Sequence, residues 1–293
     1  MAESGSHFRK IRRRQKIIGL LRLLRLPNLL LILLGQLLVV FRFSCFGSGA
    51  ENLVSLKMLL LLFVSMSSAA GGYIINDYHD VKIDQINKPA RVIIGRLVTR
   101  RKALFSYVLL NLVAFCAAGF LGKKVLLAVL SSSVLLWLYS VRLKCIPLLG
   151  NLVVAGLVAW SLSIPSMLFP IEEARLFYFI FFAFLANLIR ELVKDLEDRR
   201  GDSEHGCKTF AGTFSLPANR QLVNLLCGTL ALLLLVSVFQ AAGYWRWAGL
   251  LMFFPFVPFL LRLQTADRKK DFHSLSKMLK RIMLIGTAGM LLA

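Results

Sequence analysis

The stretch from Met58 to Asp84, MLLLLFVSMSSAAGGYIINDYHDVKID, passes without a break from hydrocarbon to carboxylate. Its first part belongs to an apolar run near 53–75. At 1.5 Å per residue such a run crosses a hydrocarbon layer about 30 Å thick. Its second part, Asn76-Asp77-Tyr78-His79-Asp80-Val81-Lys82-Ile83-Asp84, stands where that helix leaves the membrane. There Asp77, Asp80 and Asp84 fall at i, i+3 and i+7, which puts three carboxylates on one helical face.

Other apolar runs of spanning length lie near 26–41, 103–121, 125–141, 146–168, 174–193, 222–241, 244–261 and 279–293. Together they predict an all-α, polytopic membrane protein of about nine transmembrane helices. The composition agrees. Of 293 residues, 57% are hydrophobic and only 17% charged, against roughly 25% charged in an ordinary soluble domain. A disordered chain is excluded, because it would be poor in Leu, Ile, Val and Phe. A soluble α/β enzyme would need more surface charge. Residues 1–25 form a basic, amphipathic N-terminal segment, with Arg22 and Arg25 expected to snorkel toward headgroups. Residues 26–293 read as a single transmembrane domain. The run from Leu26 to Phe41 has no convincing small-residue cleavage site, so a retained first helix is expected rather than a signal peptide.

The net charge is +21, which raises nucleic acid as a partner. Placing the charges removes it. With the N-terminus inside, the inner segments 1–25, 76–102, 142–145, 190–220 and 262–281 hold about 30 of the 36 Lys and Arg residues. The outer loops hold only Arg42, Lys57, Lys123, Lys124, Arg175 and Arg246. The positive-inside rule then puts the N-terminus in the cytoplasm. The expected location is the cell membrane of a bacterium or archaeon, multi-pass, in contact with membrane lipid and not with nucleic acid.

A second acidic cluster repeats the first. Lys194-Asp195-Leu196-Glu197-Asp198-Arg199-Arg200-Gly201-Asp202 follows the sixth run, and Asp195, Asp198 and Asp202 again fall at i, i+3, i+7. Three like charges on one face repel one another unless a cation answers them. All-oxygen ligands favour Mg²⁺, which binds one or two carboxylates and otherwise takes water and substrate phosphate. Two such clusters on one side predict Mg²⁺ with a phosphorylated ligand between them. A solvated interfacial charge network would explain one cluster, but two with equal spacing are harder to explain so. Cations stand nearby: Lys88 and Arg91 around Pro89, which should end the helix; Arg190 and Lys194 at i, i+4; Lys144 beyond Tyr139; and Lys208.

The five cysteines, at 45, 116, 145, 207 and 227, show no metal-binding spacing, and Cys207 reads as a small loop residue. Gly71 and Gly72 suit close helix packing as well as a substrate role. Asn28, after Pro27, could touch substrate or pair with a freed backbone carbonyl. His79 reads as a solvated residue.

Asn-Asp-x-x-Asp-x-x-x-Asp at 76–84, followed by Asn-Lys-Pro-x-Arg at 87–91, resembles the first signature of the UbiA superfamily of intramembrane prenyltransferases. Asp198 and Asp202, with Asp195 one turn earlier, resemble the second. Tyr139 and Lys144 resemble a third, Tyr- and Lys-containing motif. Val92 departs from the pattern, since many members have a second Pro there. The resemblance implies helices around a central cavity under a cytoplasmic cap. It implies a prenyl diphosphate donor and Mg²⁺ on Asp77, Asp80, Asp84, Asp195, Asp198 and Asp202. Asn76 would join the first-motif ligands, and Lys88, Arg91, Lys144 and Lys208 would grip the diphosphate.

The segments Ala70 to Asp77 and Leu136 to Ser140 are most similar to the geranylgeranylglycerol-phosphate geranylgeranyltransferase branch. That resemblance implies a lipid-soluble acceptor, attacked through a glycerol-phosphate hydroxyl. An aromatic, quinone-precursor acceptor is the alternative. A transporter with an acidic ion site is a distant one, because transporter carboxylates tend to sit near the bilayer midplane.

Overall fold

Ser55 starts the decisive helix: its side chain accepts a hydrogen bond from the Met58 amide at 3.2 Å, satisfying one of the free N–H groups of the first turn. We call the helices α1 (Leu26–Phe43), α2 (Leu56–Asn87), α3 (Arg100–Leu121), α4 (Lys123–Val141), α5 (Leu149–Ser163), α6 (Glu173–Glu204), α7 (Leu216–Gln240), α8 (Phe256–Thr265) and α9 (Lys269–Gly289). The structure, a computed structural model, describes residues 18–45, 49–89, 92–204, 206–240 and 253–292. Among these, no strand forms, and the chain is all-α.

Seven helical segments among the described residues are long and apolar enough to cross a membrane: Leu26–Phe43, Leu56–Asn87, Arg100–Leu121, Lys123–Val141, Leu149–Met167, Leu176–Arg199 and Leu216–Val236. They coincide with the first seven runs read from the sequence. The eighth run, 244–261, lies largely outside the described residues, and α8 covers only its end. The ninth is the second half of α9, which begins ten residues earlier in a charged stretch.

α2 and α6 each have 32 residues, or roughly 48 Å at 1.5 Å per residue. That exceeds a bilayer core of about 30 Å, so each helix overhangs. Both carry their aspartates on the overhang. α2 ends at Asn87, where Lys88 closes the last turn by donating its amide to the Asp84 carbonyl at 2.8 Å. Pro89 follows and cannot extend it. α3 and α4 are joined by Gly122 alone, at φ 114°. That left-handed backbone favours glycine, and it reverses the chain within one residue.

α2 packs against α3 and α4, while α6 packs against α5, α7 and α9. Small residues set the closeness of the first group. A Cβ added at Gly71 would lie 2.7 Å from Asn111 Nδ2, and one at Gly72 would lie 2.7 Å from Leu136 Cδ1. Both glycines therefore serve helix packing. Inside the bundle Gln36, fully buried, donates to Ser65 Oγ at 2.9 Å and to the Ser161 carbonyl at 2.8 Å. It ties α1, α2 and α5 together where no water can compete. Outward, α3 and α4 present Phe105, Leu112, Phe120 and Val134, all exposed, as a lipid-facing surface. α9 turns Phe272, Leu275, Leu279, Ile282 and Gly286 inward. These follow the i, i+3, i+7 repeat of an amphipathic helix.

Candidate active site

The overhanging ends of α2 and α6 meet the start of α1 and the end of α4 at the mouth of one cavity of about 1010 Å³. Asp77, Asp80 and Asp84 line it from α2, and Asp195, Asp198 and Asp202 line it from α6. The helical spacing read from the sequence thus does bring six carboxylates to one space. Farther in, the lining is apolar, with Leu31, Ile32, Val154, Val158, Phe179 and Phe182.

Cations hold the carboxylates. Lys88 Nζ lies 2.6 Å from Asp198 Oδ2 and 3.5 Å from Glu197 Oε1. Lys144 Nζ donates to Asp80 Oδ1, and Arg25 donates to Asp77 Oδ1 at 2.8 Å. Arg25 therefore does not snorkel outward as the sequence suggested. It adopts the left-handed region at φ 49°, a conformation a non-glycine residue keeps only under constraint. Its guanidinium also lies over the Tyr73 ring, 5.0 Å from the centroid. Amides complete the set. Asn76 Nδ2 donates to Asp80 Oδ2 at 2.8 Å, Asn151 to Asp195 at 2.8 Å, and Asn87 to Asp202 at 3.4 Å.

Arg190 and Lys194, spaced i, i+4, both line the cavity. Both close on Glu191, at 2.7 and 2.9 Å, and Glu191 is only 5% exposed. Two cations on one buried carboxylate make a net positive patch on the cavity wall. Tyr139 lines the same wall. At the rim the Asp202 carboxyl is pushed up to about 7, by burial first and then by the Asp198 and Asp80 charges.

Lys208 is the exception among the sequence-derived residues described. Its side chain is exposed, while its neighbours Cys207 and Thr209 line the cavity. The tight turn after α6 points it away. Arg91 lies outside the described residues. Asn28 Oδ1 accepts from Lys280 Nζ at 2.8 Å, a partner on α9. Cys207 is not an idle loop residue. It forms a disulfide with Cys145, 62 residues away, and so joins the turn after α4 to the turn after α6 beside the cavity.

Sequence reading missed Glu191, Glu197, His273 and Lys280. His273 Nδ1 stands 3.0 Å from Glu197 Oε1. For Glu191 the available signal was an acid within the apolar run 174–193, since an acid there needs partners.

Among the described residues, no three His, Cys, Asp or Glu side chains already stand as a metal cage. The donor chemistry nonetheless fits a hard divalent cation. Two buried oxygens, Asp198 Oδ1 and Asn76 Oδ1, have no hydrogen-bond partner among the described residues, and both residues line the cavity. A site of this kind takes its remaining ligands from water and substrate phosphate.

The comparisons agree with this geometry. A protein 31% identical over 242 residues, the digeranylgeranylglyceryl phosphate synthase of Korarchaeum cryptofilum, aligns with 80% of this chain and 85% of its own length. The synthase of the same name from Pyrococcus abyssi is 37% identical over 161 residues, which span 55% of this chain and 58% of that protein. Among solved structures, a digeranylgeranylglyceryl phosphate synthase superposes with a TM-score of 0.71 at 22% identity, covering 94% of this chain and 97% of that one. A UbiA homolog from Archaeoglobus fulgidus, bound to GPP and Mg²⁺, superposes with a TM-score of 0.67 at 16% identity, covering 93% and 99%. The profile of the UbiA prenyltransferase family matches residues 30–284, nearly the whole of the bundle and both aspartate helices, and the chain belongs to that family.

Proposed function

We propose that this protein is an intramembrane prenyltransferase that moves a geranylgeranyl group from its diphosphate to the hydroxyl of geranylgeranylglyceryl phosphate, with Mg²⁺ and with release of diphosphate. The observation that carries the reading is the meeting of two three-aspartate faces, from α2 and α6, at the polar mouth of an otherwise apolar cavity. The names of the archaeal relatives support the choice of acceptor. The UbiA homolog bound to GPP and Mg²⁺ supports the donor and the metal. By the charge asymmetry of the loops, the N-terminus and the charged mouth face the cytoplasm.

Asp77, Asp80 and Asp84, with Asp195, Asp198 and Asp202, would hold the metal, and Asn76 Oδ1 would add a neutral oxygen. Bound Mg²⁺ would withdraw charge from the diphosphate and make it a better leaving group. Lys88 and Lys144, already at the carboxylates, would neutralise charge developing on the departing oxygens. Arg190 and Lys194 keep their side of the wall positive, and Tyr139 stands beside them. As the allylic C1–O bond breaks, the apolar lining excludes water from C1. The acceptor hydroxyl oxygen would then bond to that carbon and give up its proton to the departing diphosphate.

The test is turnover by purified protein in nanodiscs with Mg²⁺ and labelled geranylgeranyl diphosphate. Geranylgeranylglyceryl phosphate should become a doubly prenylated ether lipid. Product only with a hydroxybenzoate-type acid would replace the acceptor by an aromatic one. Solute flux in liposomes without any prenyl transfer would overturn the enzyme reading.

A further inference from the structure

α9 brings to the cavity a charge that breaking the donor bond does not use. Lys280 Nζ donates to Asn28 Oδ1 at 2.8 Å, across 252 residues of sequence. Both residues line the cavity. Arg25, Lys88, Lys144, Arg190 and Lys194 each touch a carboxylate. Lys280 touches none among the described residues. The charges that act on it are the guanidinium groups of Arg190 and Arg25, both positive. A half-buried ammonium held by a neutral amide and faced by two more cations is unfavourable alone. It becomes favourable when an anion joins it.

The wall next to this position has a matching shape. Met283 and Thr287 follow Lys280 on one face of α9, at i+3 and i+7, and Met290 lines the cavity from the turn just after it. Leu31, Ile32 and Gly35 follow Asn28 on α1, at i+3, i+4 and i+7. α9 packs directly on α1. A cationic head position thus opens onto a largely apolar seam between two helices. That pattern recognises an amphiphile with an anionic head and a hydrocarbon tail.

We propose that Lys280 and Asn28, with Arg190 and Arg25 behind them, bind the phosphate of the acceptor lipid, and that the α1–α9 seam holds its isoprenoid tail. Among the described residues, Lys280 and Asn28 touch none of the six aspartates, where the donor's metal would be held, while Arg25, bonded to Asp77, borders both places. The assignment rests on the acceptor proposed above. It makes the acceptor's phosphate a specificity handle: the enzyme would distinguish geranylgeranylglyceryl phosphate from the same lipid without phosphate.

The experiment compares wild type, Lys280→Gln and Lys280→Arg in nanodiscs. Binding of labelled geranylgeranylglyceryl phosphate is measured with EDTA and without donor, and KM for each substrate is measured with Mg²⁺. Losing one charge-assisted contact should weaken acceptor binding and raise its KM by about tenfold or more, and leave the donor KM within about twofold. Lys280→Arg should recover most of the loss. Geranylgeranylglycerol, which lacks the phosphate, should bind wild type and Lys280→Gln equally weakly. A fatty-acyl phosphatidic acid should compete poorly, because it offers the phosphate without the isoprenoid tail. Unchanged acceptor binding in Lys280→Gln overturns the site, as does an equal loss for the phosphate-free lipid. A rise in donor KM alone reassigns Lys280 to the diphosphate and also overturns it. If wild type binds the phospholipid through Lys280 but transfers nothing to it, the reaction proposed above falls while the anion site stands. If transfer proceeds and Lys280→Gln has no effect, the reverse holds.

Discussion

Lys88, the residue that closes α2, places its ammonium 2.6 Å from Asp198 of α6, so one side chain joins the two aspartate helices. Removing it leaves Asp198 without its cation and the buried Glu197 with His273 alone. Losing one partner of a buried pair commonly costs about 3–5 kcal/mol. Lys88→Ala should lower the melting temperature more in EDTA than in Mg²⁺, because a bound divalent cation would replace the missing charge. Turnover should fall at least about 100-fold, given a loss of about 2.7 kcal/mol or more in transition-state stabilisation. Equal melting shifts with and without Mg²⁺ would count against any shared role of Lys88 and the metal.

Asp77→Ala and Asp198→Ala should each abolish detectable prenyl transfer while the protein stays folded and monodisperse in detergent. Their partners, Arg25 and Lys88, both retain some access to solvent, which tempers the structural penalty. Diphosphate release from labelled donor is the readout. Wild-type rates in both variants would sink the site assignment.

EDTA should stop transfer by wild type, and Mg²⁺ should restore it. Ca²⁺ should restore it less well, since it prefers more ligands at longer distances. Full activity in EDTA would remove the metal from the reaction.

The Cys145–Cys207 disulfide predicts a thiol count. Denatured but unreduced protein should alkylate at Cys45, Cys116 and Cys227, and at all five cysteines after reduction. Cys145→Ser should cost about 2–4 kcal/mol of stability if the chain-entropy account holds. Because Lys144 is the next residue and holds Asp80, the donor KM should rise as well. Mass spectrometry of alkylated peptides decides the first point, and kinetics the second.

Gln36 offers a test away from the chemistry. Gln36→Ala removes bonds to both α2 and α5. It should destabilise the bundle by about 0.6–1.7 kcal/mol, the range of interhelical hydrogen bonds in membranes. No loss in a denaturant titration would mean those bonds reform elsewhere.

The aspartate faces were legible in the sequence because i, i+3, i+7 spacing is local and needs only a helix. So were the first seven spans, and the end of α2 before Pro89. The partners were not legible. Arg25 with Asp77, Lys280 with Asn28 and Cys145 with Cys207 depend on which helix ends meet, and a linear reading cannot supply that. Glu191 was hidden for another reason: it falls in the sixth apolar run, before the acidic cluster begins. Lys208 shows the converse error, since nearness in sequence to an acidic cluster did not decide where its side chain points.

The cavity is charged at its mouth and oily within, and this polarity would also sort the products. Diphosphate, multiply anionic, would leave toward water; a lipid carrying two isoprenoid chains would leave toward the bilayer. The two products would therefore part into different phases as soon as they separate. Recombination would become rare, and the reaction would run in one direction without any moving part to enforce it.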